Sequence, residues 1–391
     1  MTADMKQVLL IHPEGNTFNN PTLQSVVDLL LDKKVDLTIR YQLGLSPMPE
    51  LTGVSLLPIG RIQQRIKDAI FNRLCWEWLA YLYVWLEQKF VYQKYNLIIG
   101  VDRQGLIEAG MLHQQVKTAF VFFSFEIMFA SETSKRFKSI EKKMAQLVGH
   151  WFVQDEVRAF HLQKENNLNP AIQTLLPLAS SGAAEKHSER LRDLLGVPIN
   201  RKVAIAIGSI SDWSMIREIV SSVYQWPEDW VLIIHDRYGQ TEAELTKLGC
   251  NLNEVQKGRV FLSNHASMQV DNMSNVLAGV SAGLALYKPN YKGPYTGDNL
   301  KYLGLASGKI STYLRYGVPP VINNIGQYSY LANTHQFGLV AEDADGIGAL
   351  LESLIDPAWS VRALSYYKEY LDFNNYRGIV WGKLCEVEMM N

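Results

Sequence analysis

The sequence predicts an α/β fold of two serial domains, each built on a parallel sheet with helices on both faces. Short apolar runs alternate with helical segments, which is the pattern of a covered parallel sheet. The alternation pauses at 174–186, where small residues accumulate, and then begins again. We therefore place the domains at 1–178 and 187–391 with a linker between them. The last helical stretch, 361–388, is a candidate to cross back onto the first domain.

The first domain is expected to open with a buried strand at 8–12 and a helix after Asn20. Asn20 is a typical N-cap residue, and Pro21 suits the first helical position. Leu23, Val26 and Leu30 form one apolar face of that helix. Apolar runs predict further strands at 35–41, 95–102, 117–125 and 150–155, with helices at 105–115 and 140–147.

The second domain is expected to repeat this order of elements. An apolar strand at 203–208 ends in a glycine, and a helix begins near Asp212. Later apolar runs predict strands at 230–236, 259–264, 282–287 and 319–323. Two successive parallel-sheet domains account for nearly all of the chain.

Composition limits the classes of function. Of the 391 residues 47% are hydrophobic and 20% are charged, which suits two globular cores. The formal net charge of −1 argues against a general nucleic-acid binder. The three cysteines lie far apart in sequence, so we expect neither a disulfide framework nor a structural zinc site. The start of the sequence has no signal-peptide core, and we expect a cytoplasmic protein.

Several common catalytic motifs are missing from the sequence. The eight histidines show no metal-binding spacing, and we expect no metal site. No GxGxxG motif follows the first strand, which weakens the case for a dinucleotide-dependent oxidoreductase. Neither the P-loop pattern nor a GxSxG nucleophile elbow occurs.

The stretch from Arg61 to Val91 predicts one long helix that is basic at its start and rich in aromatic residues further on. One interpretation is a helix that contacts a membrane surface or a lipid acceptor, at the inner face of the membrane. The other is a helix packed on the first sheet, or a dimer interface, and we favour this second interpretation because apolar helices usually belong to the core. The oligomeric state stays open.

The most informative segment is a short helix predicted to follow Ser307. Ser307 is a suitable N-cap, and Gly317 stands where a left-handed C-cap residue belongs. The helix start offers backbone N–H groups and the positive end of the helix dipole, and Lys309 lies in the first turn. Gly308 would let an oxygen ligand approach the backbone closely. This start is therefore a candidate diphosphate site, although an ordinary capped helix would show the same pattern.

The segment ASGKISTYLRYGVPPVI resembles the donor-binding helix of bacterial GT-B glycosyltransferases, where patterns such as SPNKxxEY[ML]AxGxPVI recur. The matching residues are Ser307, Gly308, Lys309, Tyr313, Leu314, Gly317, Pro320, Val321 and Ile322. Upstream, Asn299 fits the asparagine that precedes the serine in this family. The resemblance implies a fold of two Rossmann-like domains that face each other across a cleft. It also implies a donor site that includes Asn299 and Tyr313.

Other segments extend the resemblance and also depart from it. The segment VAIAIGSISDW is similar to the first strand and glycine turn of the family's second domain, which implies that Gly208 and Ser209 lie over the donor phosphates. VQDEVRA, at 153–159, is similar to a segment late in the family's first domain. The best-known retaining members carry two glutamates at positions matched here by Gly304 and Thr312, so Thr312 takes the position that usually holds the ribose. Their turn cations are missing from SISDW, and Arg237 is the candidate replacement.

The acceptor side is predicted from carboxylates that follow strands. Glu126 comes after the apolar run FVFFSF, and ligands bind at the carboxyl ends of parallel strands. A carboxylate there could deprotonate an acceptor hydroxyl as a general base, or it could simply cap the next helix. Asp102, after NLIIGVD, is the second catalytic candidate. Gly15, in HPEGNT, either lets its loop approach the donor diphosphate or is a simple turn glycine.

We expect a hexosyltransferase-like enzyme of the kind found in polysaccharide biosynthesis. It would move a sugar from a nucleoside diphosphate sugar, held by the second domain, to a hydroxyl of a glycan or lipid-linked acceptor, held by the first. We expect no metal and no cofactor, because the helix start and Lys309 can offset the diphosphate charge. Two alternatives are a nucleotide-sugar epimerase on the same fold and a catalytically silent GT-B protein that acts by binding.

Overall fold

A computed structural model describes residues 7–15, 17–43, 52–186, 190–250, 252–266 and 272–390. The chain divides into two compact units. Unit 1 comprises Met1–Pro177, Gly293–Tyr295 and Tyr376–Asn391, and unit 2 comprises Leu178–Lys292 and Thr296–Asn375. The position 187, where the second domain was predicted to start, lies outside the described residues. Within the described ranges, no helix is long and apolar enough to cross a membrane.

Unit 1 is built on a seven-stranded parallel sheet. Its strands are β1 (Gln7–His12), β2 (Asp36–Gln42), β3 (Val54–Ile59), β4 (Leu97–Val101), β5 (Phe120–Phe123), β6 (His150–Val153) and β7 (Gln173–Leu175). They lie in the order β3-β2-β1-β4-β5-β6-β7. The direction of the connections reverses beside β1 and β4, and in such sheets the loops after these two strands form the usual ligand site.

Three of the six α-helices described in this part of unit 1 begin at residues whose side chains cap them. The six helices are α1 (Pro21–Asp32), α2 (Arg61–Lys67), α3 (Glu77–Phe90), α4 (Asp102–Val116), α5 (Lys135–Ala145) and α6 (Glu156–Asn166), and the capped ones are α1, α5 and α6. The Asn20 side chain accepts from the Leu23 amide, which confirms the predicted N-cap of α1. Gly105 lets α4 lie close to the sheet, because a Cβ there would stand 2.6 Å from the Ile11 carbonyl oxygen.

Unit 2 contains a second parallel sheet, of six strands. The strands are β8 (Lys202–Ile207), β9 (Trp230–His235), β10 (Val260–Ser263), β11 (Ala282–Ala285), β12 (Pro320–Ile322) and β13 (Leu339–Val340), in the order β10-β9-β8-β11-β12-β13. Apolar side chains on its two faces form two clusters of buried residues. The prediction of two parallel α/β sheets in series is confirmed.

Short helices cover the faces of the second sheet. They are α7 (Arg190–Leu194), α8 (Ile216–Ser222), α9 (Thr241–Lys247), α10 (Asn253–Gln256), α11 (Ser274–Leu277), α12 (Asp298–Lys301), α13 (Gly308–Arg315), α14 (Gly326–His335), α15 (Ile347–Leu351) and α16 (Pro357–Tyr366). The segment predicted to be a flexible linker is bonded to this unit, since Arg315 Nε donates to the Gly182 carbonyl oxygen at 2.9 Å. Only β7, at its start, belongs to the first sheet.

The final helix, α17 (Arg377–Glu388), belongs to unit 1. It packs on α1 and on β4, β5 and β6. Val380, Leu384 and Val387 are its buried residues. The side chain of Arg377 pairs with Asp32 at the end of α1. The single helix predicted at 361–388 is wrong, because a π-helical turn at Tyr367–Leu371 and a 3₁₀ turn at Phe373–Asn375 separate α16 from α17.

The single helix predicted from Arg61 to Val91 is also wrong. After α2 the chain forms a π-helix at Asp68–Leu74, and Cys75 then adopts a left-handed conformation with φ 50°. A left-handed residue ends a right-handed helix, so α3 starts afresh at Glu77. Three strands were not predicted: β3, whose residues are mostly half-buried or exposed, and the very short β7 and β13.

Candidate functional site

The first candidate site lies where β8 ends in unit 2. The Gly208 amide donates to the His235 carbonyl oxygen at 3.0 Å, so the turn after β8 is tied to the end of β9. Gly208 has φ 91°, and a Cβ there would stand 2.9 Å from Cε of Lys309. Only glycine therefore fits this turn while Lys309 lies over it. Lys309 Nζ donates to the carbonyl oxygen of the exposed Ser209 at 3.4 Å.

Two aromatic rings form the floor beneath the Lys309 ammonium. Trp213 and Tyr287 stack with ring centroids 5.9 Å apart and an interplanar angle of 5°. Lys309 Nζ lies 5.3 Å from the Trp213 centroid and 5.6 Å from that of Tyr287. Rings at this distance attract a cation through their negative faces. Sequence reasoning missed both residues, although Trp213 follows the glycine turn and Tyr287 follows β11 closely.

Helix α13 begins beside this ammonium. Ser307 caps it, since its Oγ accepts from the Ile310 amide at 3.4 Å, and the Tyr287 hydroxyl holds the same Oγ at 2.7 Å. The predicted N-cap and the left-handed Gly317, with φ 60°, are confirmed. The amides of Gly308 and Lys309 have no acceptor within the helix, as in any first turn. A Cβ at Gly308 would make only an ordinary 3.5 Å contact with Leu178, so the chain's own packing does not demand glycine there.

The Lys309 ammonium is partly desolvated, and the positive charge of Arg237 acts on it. Burial and, after it, the charge of Arg237 lower the pKa of Lys309 to about 8, while Asp236 acts in the opposite direction. Arg237 follows β9, and its buried Nε has no hydrogen-bond partner among the described residues. The Asp236 carboxylate instead accepts from the amides of Tyr238 and Gln240, both at 3.0 Å. Lys309, in the first turn of α13, and Arg237, after β9, are thus close enough for their charges to repel each other.

Three residues predicted to contact the donor are buried or half-buried in unit 2. Tyr313 has no exposed surface, and its hydroxyl accepts from the Ile207 amide and donates to the backbone of β8 and β11. It packs under the sheet against Gly283, so the expectation that it contacts a donor is wrong. Asn299 is 1% exposed within α12 and likewise belongs to the interior. Thr312 is half-buried, one turn beyond Gly308.

The second candidate site lies at the ends of β1, β4 and β5 in unit 1. Asp102 follows β4 with φ 54°, a strained conformation for a residue other than glycine. Its Oδ1 accepts from the amides of Phe125 at 2.7 Å and Glu126 at 2.9 Å. The structure therefore brings Asp102 and Glu126, the two predicted catalytic carboxylates, to one place. The Glu126 side chain is exposed, whereas Asp102 is 6% exposed.

Asp102 also faces a histidine that the sequence analysis did not single out. Its Oδ2 lies 3.7 Å from Nε2 of His12, the last residue of β1. Burial, with the charge of Glu126 next, raises the pKa of Asp102 to about 8 against the effect of its backbone hydrogen bonds. Burial lowers the pKa of His12 to about 3. At neutral pH the pair is a protonated carboxyl beside a neutral imidazole.

Gly15 makes room for that imidazole. A Cβ at Gly15 would lie 2.6 Å from Nε2 of His12, so a larger residue would displace the ring. The Gly15 carbonyl oxygen accepts from the Gln42 amide at 3.1 Å, which ties the turn to the end of β2. This position favours the turn interpretation of Gly15.

A polar cavity of 760 Å³ adjoins Glu14 in the same turn. Glu14 accepts from Arg103 at 3.0 Å and from the Gln104 amide at 2.8 Å. The Arg103 guanidinium stacks 4.0 Å from the Phe137 ring centroid. Two lining atoms, Arg103 Nε and Gln104 Oε1, are buried without a hydrogen-bond partner among the described residues. Sequence reasoning missed this cluster, although the rule that ligands bind after strands would have indicated Glu14.

Comparison with solved structures identifies the architecture. Sucrose-phosphate synthase from Thermosynechococcus elongatus superposes with a TM-score of 0.72 at 13% identity, covering 99% of this chain and 100% of the other. The Anabaena protein HepE in complex with UDP-glucose superposes with a TM-score of 0.70 at 11% identity, covering 97% of this chain and 99% of HepE. WaaG, a glycosyltransferase involved in lipopolysaccharide biosynthesis, superposes with a TM-score of 0.60 at 13% identity, covering 96% of this chain and 99% of WaaG.

The chain has the GT-B glycosyltransferase fold. No family model and no curated protein sequence matches it. At these identities the similarity concerns the fold, and the roles of individual residues have to be argued from the sites described above.

The protonation of Asp102 gives a first testable prediction. The folded protein holds this proton up to about pH 8, whereas an unfolded aspartate loses it near its ordinary pKa of 3.8. Because Asp102 binds its proton more tightly in the folded state, its contribution to the free energy of unfolding should fall as the pH rises from about 4 to about 8. Asp102→Asn keeps an oxygen for both amides and should remove this contribution.

Urea unfolding of both proteins between about pH 5 and 9 measures the difference. The stability of the wild type relative to Asp102→Asn should decline up to about pH 8 and then level off. Asp36→Asn, at an exposed position of the same unit, controls for the loss of one carboxylate. Parallel pH curves for the wild type and Asp102→Asn would contradict the assignment.

Proposed function

We propose that the protein is a glycosyltransferase that takes its sugar from a nucleoside diphosphate donor bound by unit 2. The observation that carries the proposal is the pair of cations, Lys309 and Arg237, beside the start of α13 and the Gly208 turn. Two positive charges in a partly desolvated place repel each other, and a bound diphosphate would relieve that repulsion. Amides of the helix start and of the glycine turn would complete its oxygen contacts.

The leaving group of the reaction is the nucleoside diphosphate, on which negative charge develops as the glycosidic bond breaks. A fixed ammonium and backbone amides aimed at that charge stabilise the transition state more than the ground state. This chain would supply the charge with Lys309, Arg237 and the first turn of α13, so the proposed enzyme needs no metal ion. UDP is the first nucleotide to test, because HepE was solved with UDP and with UDP-glucose.

We place the acceptor in unit 1. The 760 Å³ cavity beside Glu14 offers carboxylate, guanidinium and amide groups, and these suit the hydroxyls of a saccharide. Glu126 is exposed at the end of β5 and is the proposed general base that takes a proton from the acceptor hydroxyl. Asp102 holds the amides of Phe125 and Glu126, and we assign it a positioning role.

Removal of the Lys309 charge should weaken donor binding. Lys309→Met keeps an apolar chain over Gly208 but loses the ammonium. A charge-assisted contact of this kind contributes enough that the Kd for UDP-glucose should rise about 10- to 100-fold in isothermal titration calorimetry. Lys288→Met removes an exposed lysine of the same unit and should leave the Kd unchanged.

The pH dependence of binding separates a phosphate role from a structural one. The ammonium is charged below about pH 8 and a bound diphosphate would raise its pKa, so wild-type affinity should be constant below that pH and fall above it. Lys309→Met should lack this additional decline. An unchanged Kd in Lys309→Met, or the same pH curve in both proteins, would refute the phosphate contact.

Loss of the Glu126 carboxylate should affect transfer and not donor binding. Glu126→Gln should lower kcat for sugar transfer by about 10²- to 10⁴-fold, the usual contribution of a general base. The assay is release of UDP from UDP-glucose in the presence of a panel of monosaccharides and sugar phosphates. Glu156→Gln, at an exposed glutamate of the same unit, is the matched control.

If Glu126→Gln transfers sugar at the wild-type rate, this carboxylate is not the base. Incubation of the wild type with UDP-glucose alone tests the epimerase alternative, because an epimerase would isomerise the sugar without any acceptor. Absence of binding to every nucleoside diphosphate sugar would instead favour a catalytically silent protein.

A further inference from the structure

An exposed apolar stripe runs along the outer side of α3 in unit 1. Trp78, Leu82, Trp85, Leu86 and Phe90 are spaced as neighbours on one helical face, and all five are exposed. Trp78 is 64% exposed and Phe90 81% exposed. Soluble surfaces rarely show a continuous apolar stripe of this kind, and such patches mark places where another surface docks.

Buried ion pairs hold the opposite side of α3 toward the interior of unit 1. Glu87 is buried and accepts from Arg40 at 2.6 Å, and Lys67 lies 3.4 Å from it. Lys67, which has no exposed surface, also pairs with Glu108 at 2.7 Å. Rotating the stripe inward would break these buried ion pairs at a large cost. The outward direction of the aromatic residues is therefore built into the fold. Packing within unit 1 accounts only for the inner face of α3, and the alternatives of a dimer interface and a membrane contact concern the outer face.

The neighbouring elements extend the same surface. Ile62 and Ile66 are exposed on α2, one helical turn apart, and Trp76 stacks on Trp78 with ring centroids 6.1 Å apart. A groove of 820 Å³ lies between Trp76, Trp78, Tyr81 and the exposed Arg136 of α5. We call α2, α3 and the residues between them the aromatic surface.

The charges on the aromatic surface are predominantly basic. From 61 to 96, a stretch that the structure describes throughout, the exposed charged residues are Arg61, Arg65, Arg73, Lys89 and Lys94. The Glu77 side chain is 39% exposed and is paired with Lys143. The acidic residues there are buried, hydrogen-bonded or paired with a lysine. Asp68 is half-buried and accepts from Gln64 and Asn72, Glu77 is half-buried beside Lys143, and Glu87 is buried.

We propose that the aromatic surface docks the protein on an anionic membrane. Tryptophan and tyrosine prefer the boundary between water and lipid, while leucine and isoleucine enter the acyl region. Basic residues around them attract acidic headgroups. A second copy of the chain fits less well, because a twofold interface would place this predominantly basic surface against itself.

Vesicle binding of the full chain tests this proposal. Co-sedimentation and tryptophan fluorescence are measured with vesicles of phosphatidylcholine alone and of phosphatidylcholine mixed with phosphatidylglycerol. The wild type should bind the mixed vesicles with a blue-shifted emission, and added salt should weaken that binding by screening. Arg61→Gln/Arg65→Gln/Arg73→Gln should lower the partition coefficient on the order of 100-fold. Lys247→Gln/Lys257→Gln/Lys368→Gln, at exposed lysines of unit 2, is the matched control.

The apolar contribution is tested with Trp78→Ser/Trp85→Ser/Phe90→Ser. These side chains are exposed, so the urea midpoint should stay at the wild-type value while vesicle binding is lost. Phe160→Ser removes an aromatic side chain that is 60% exposed on α6 and should bind like the wild type. Wild-type binding by the triple serine variant would overturn the proposal. So would a wild-type dimer, seen by light scattering, that this variant converts to a monomer.

Discussion

The Lys309 ammonium is the group on which the candidate donor site depends. It lies over the Gly208 turn, where any other residue would be strained at φ 91°, above two stacked rings and in the first turn of a helix. Burial and then the charge of Arg237 make this place unfavourable for a cation. A bound anion would be favoured here, because it would offset both the desolvation of the Lys309 ammonium and its repulsion by Arg237, which Asp236 opposes only in part.

The candidate acceptor site follows a different electrostatic rule. Unit 1 buries a carboxyl, Asp102, against a histidine and keeps both uncharged at neutral pH. Its charged groups, Glu126 and the Glu14–Arg103 pair, lie nearer to solvent or to a polar cavity. In both units the candidate functional residues lie near the carboxyl ends of parallel strands, since backbone amides and helix starts point to that edge of the sheet.

The sequence predicted the parts of the structure that local rules determine. Apolar runs revealed most of the strands, and Asn20, Ser307 and Gly317 marked helix ends because capping depends on residues close in sequence. Tyr313 was misplaced because its periodicity shows only that it faces inward, while the contact with Gly283 and the strand backbones depends on packing across the sheet.

The remaining residues come together from distant parts of the chain. The pairing of His12 with Asp102 and of Trp213 with Tyr287 depends on the order of strands, which a single sequence does not contain. The prediction of a single helix from Arg61 to Val91 failed for a related reason. The π-helix and left-handed Cys75 lie between Lys67 and Glu87, whose buried ion pairs join α3 to other elements, and such contacts cannot be seen in local periodicity.

The central claim is that a diphosphate binds at the Gly208 turn and the start of α13. Hydrogen–deuterium exchange read by mass spectrometry, with and without UDP, tests it directly. We expect slower exchange in peptides that cover Ile207–Ser209 and Gly308–Ser311, with unchanged exchange in peptides from α5 and α6. Protection confined to other segments, or no protection at saturating UDP, would contradict the account.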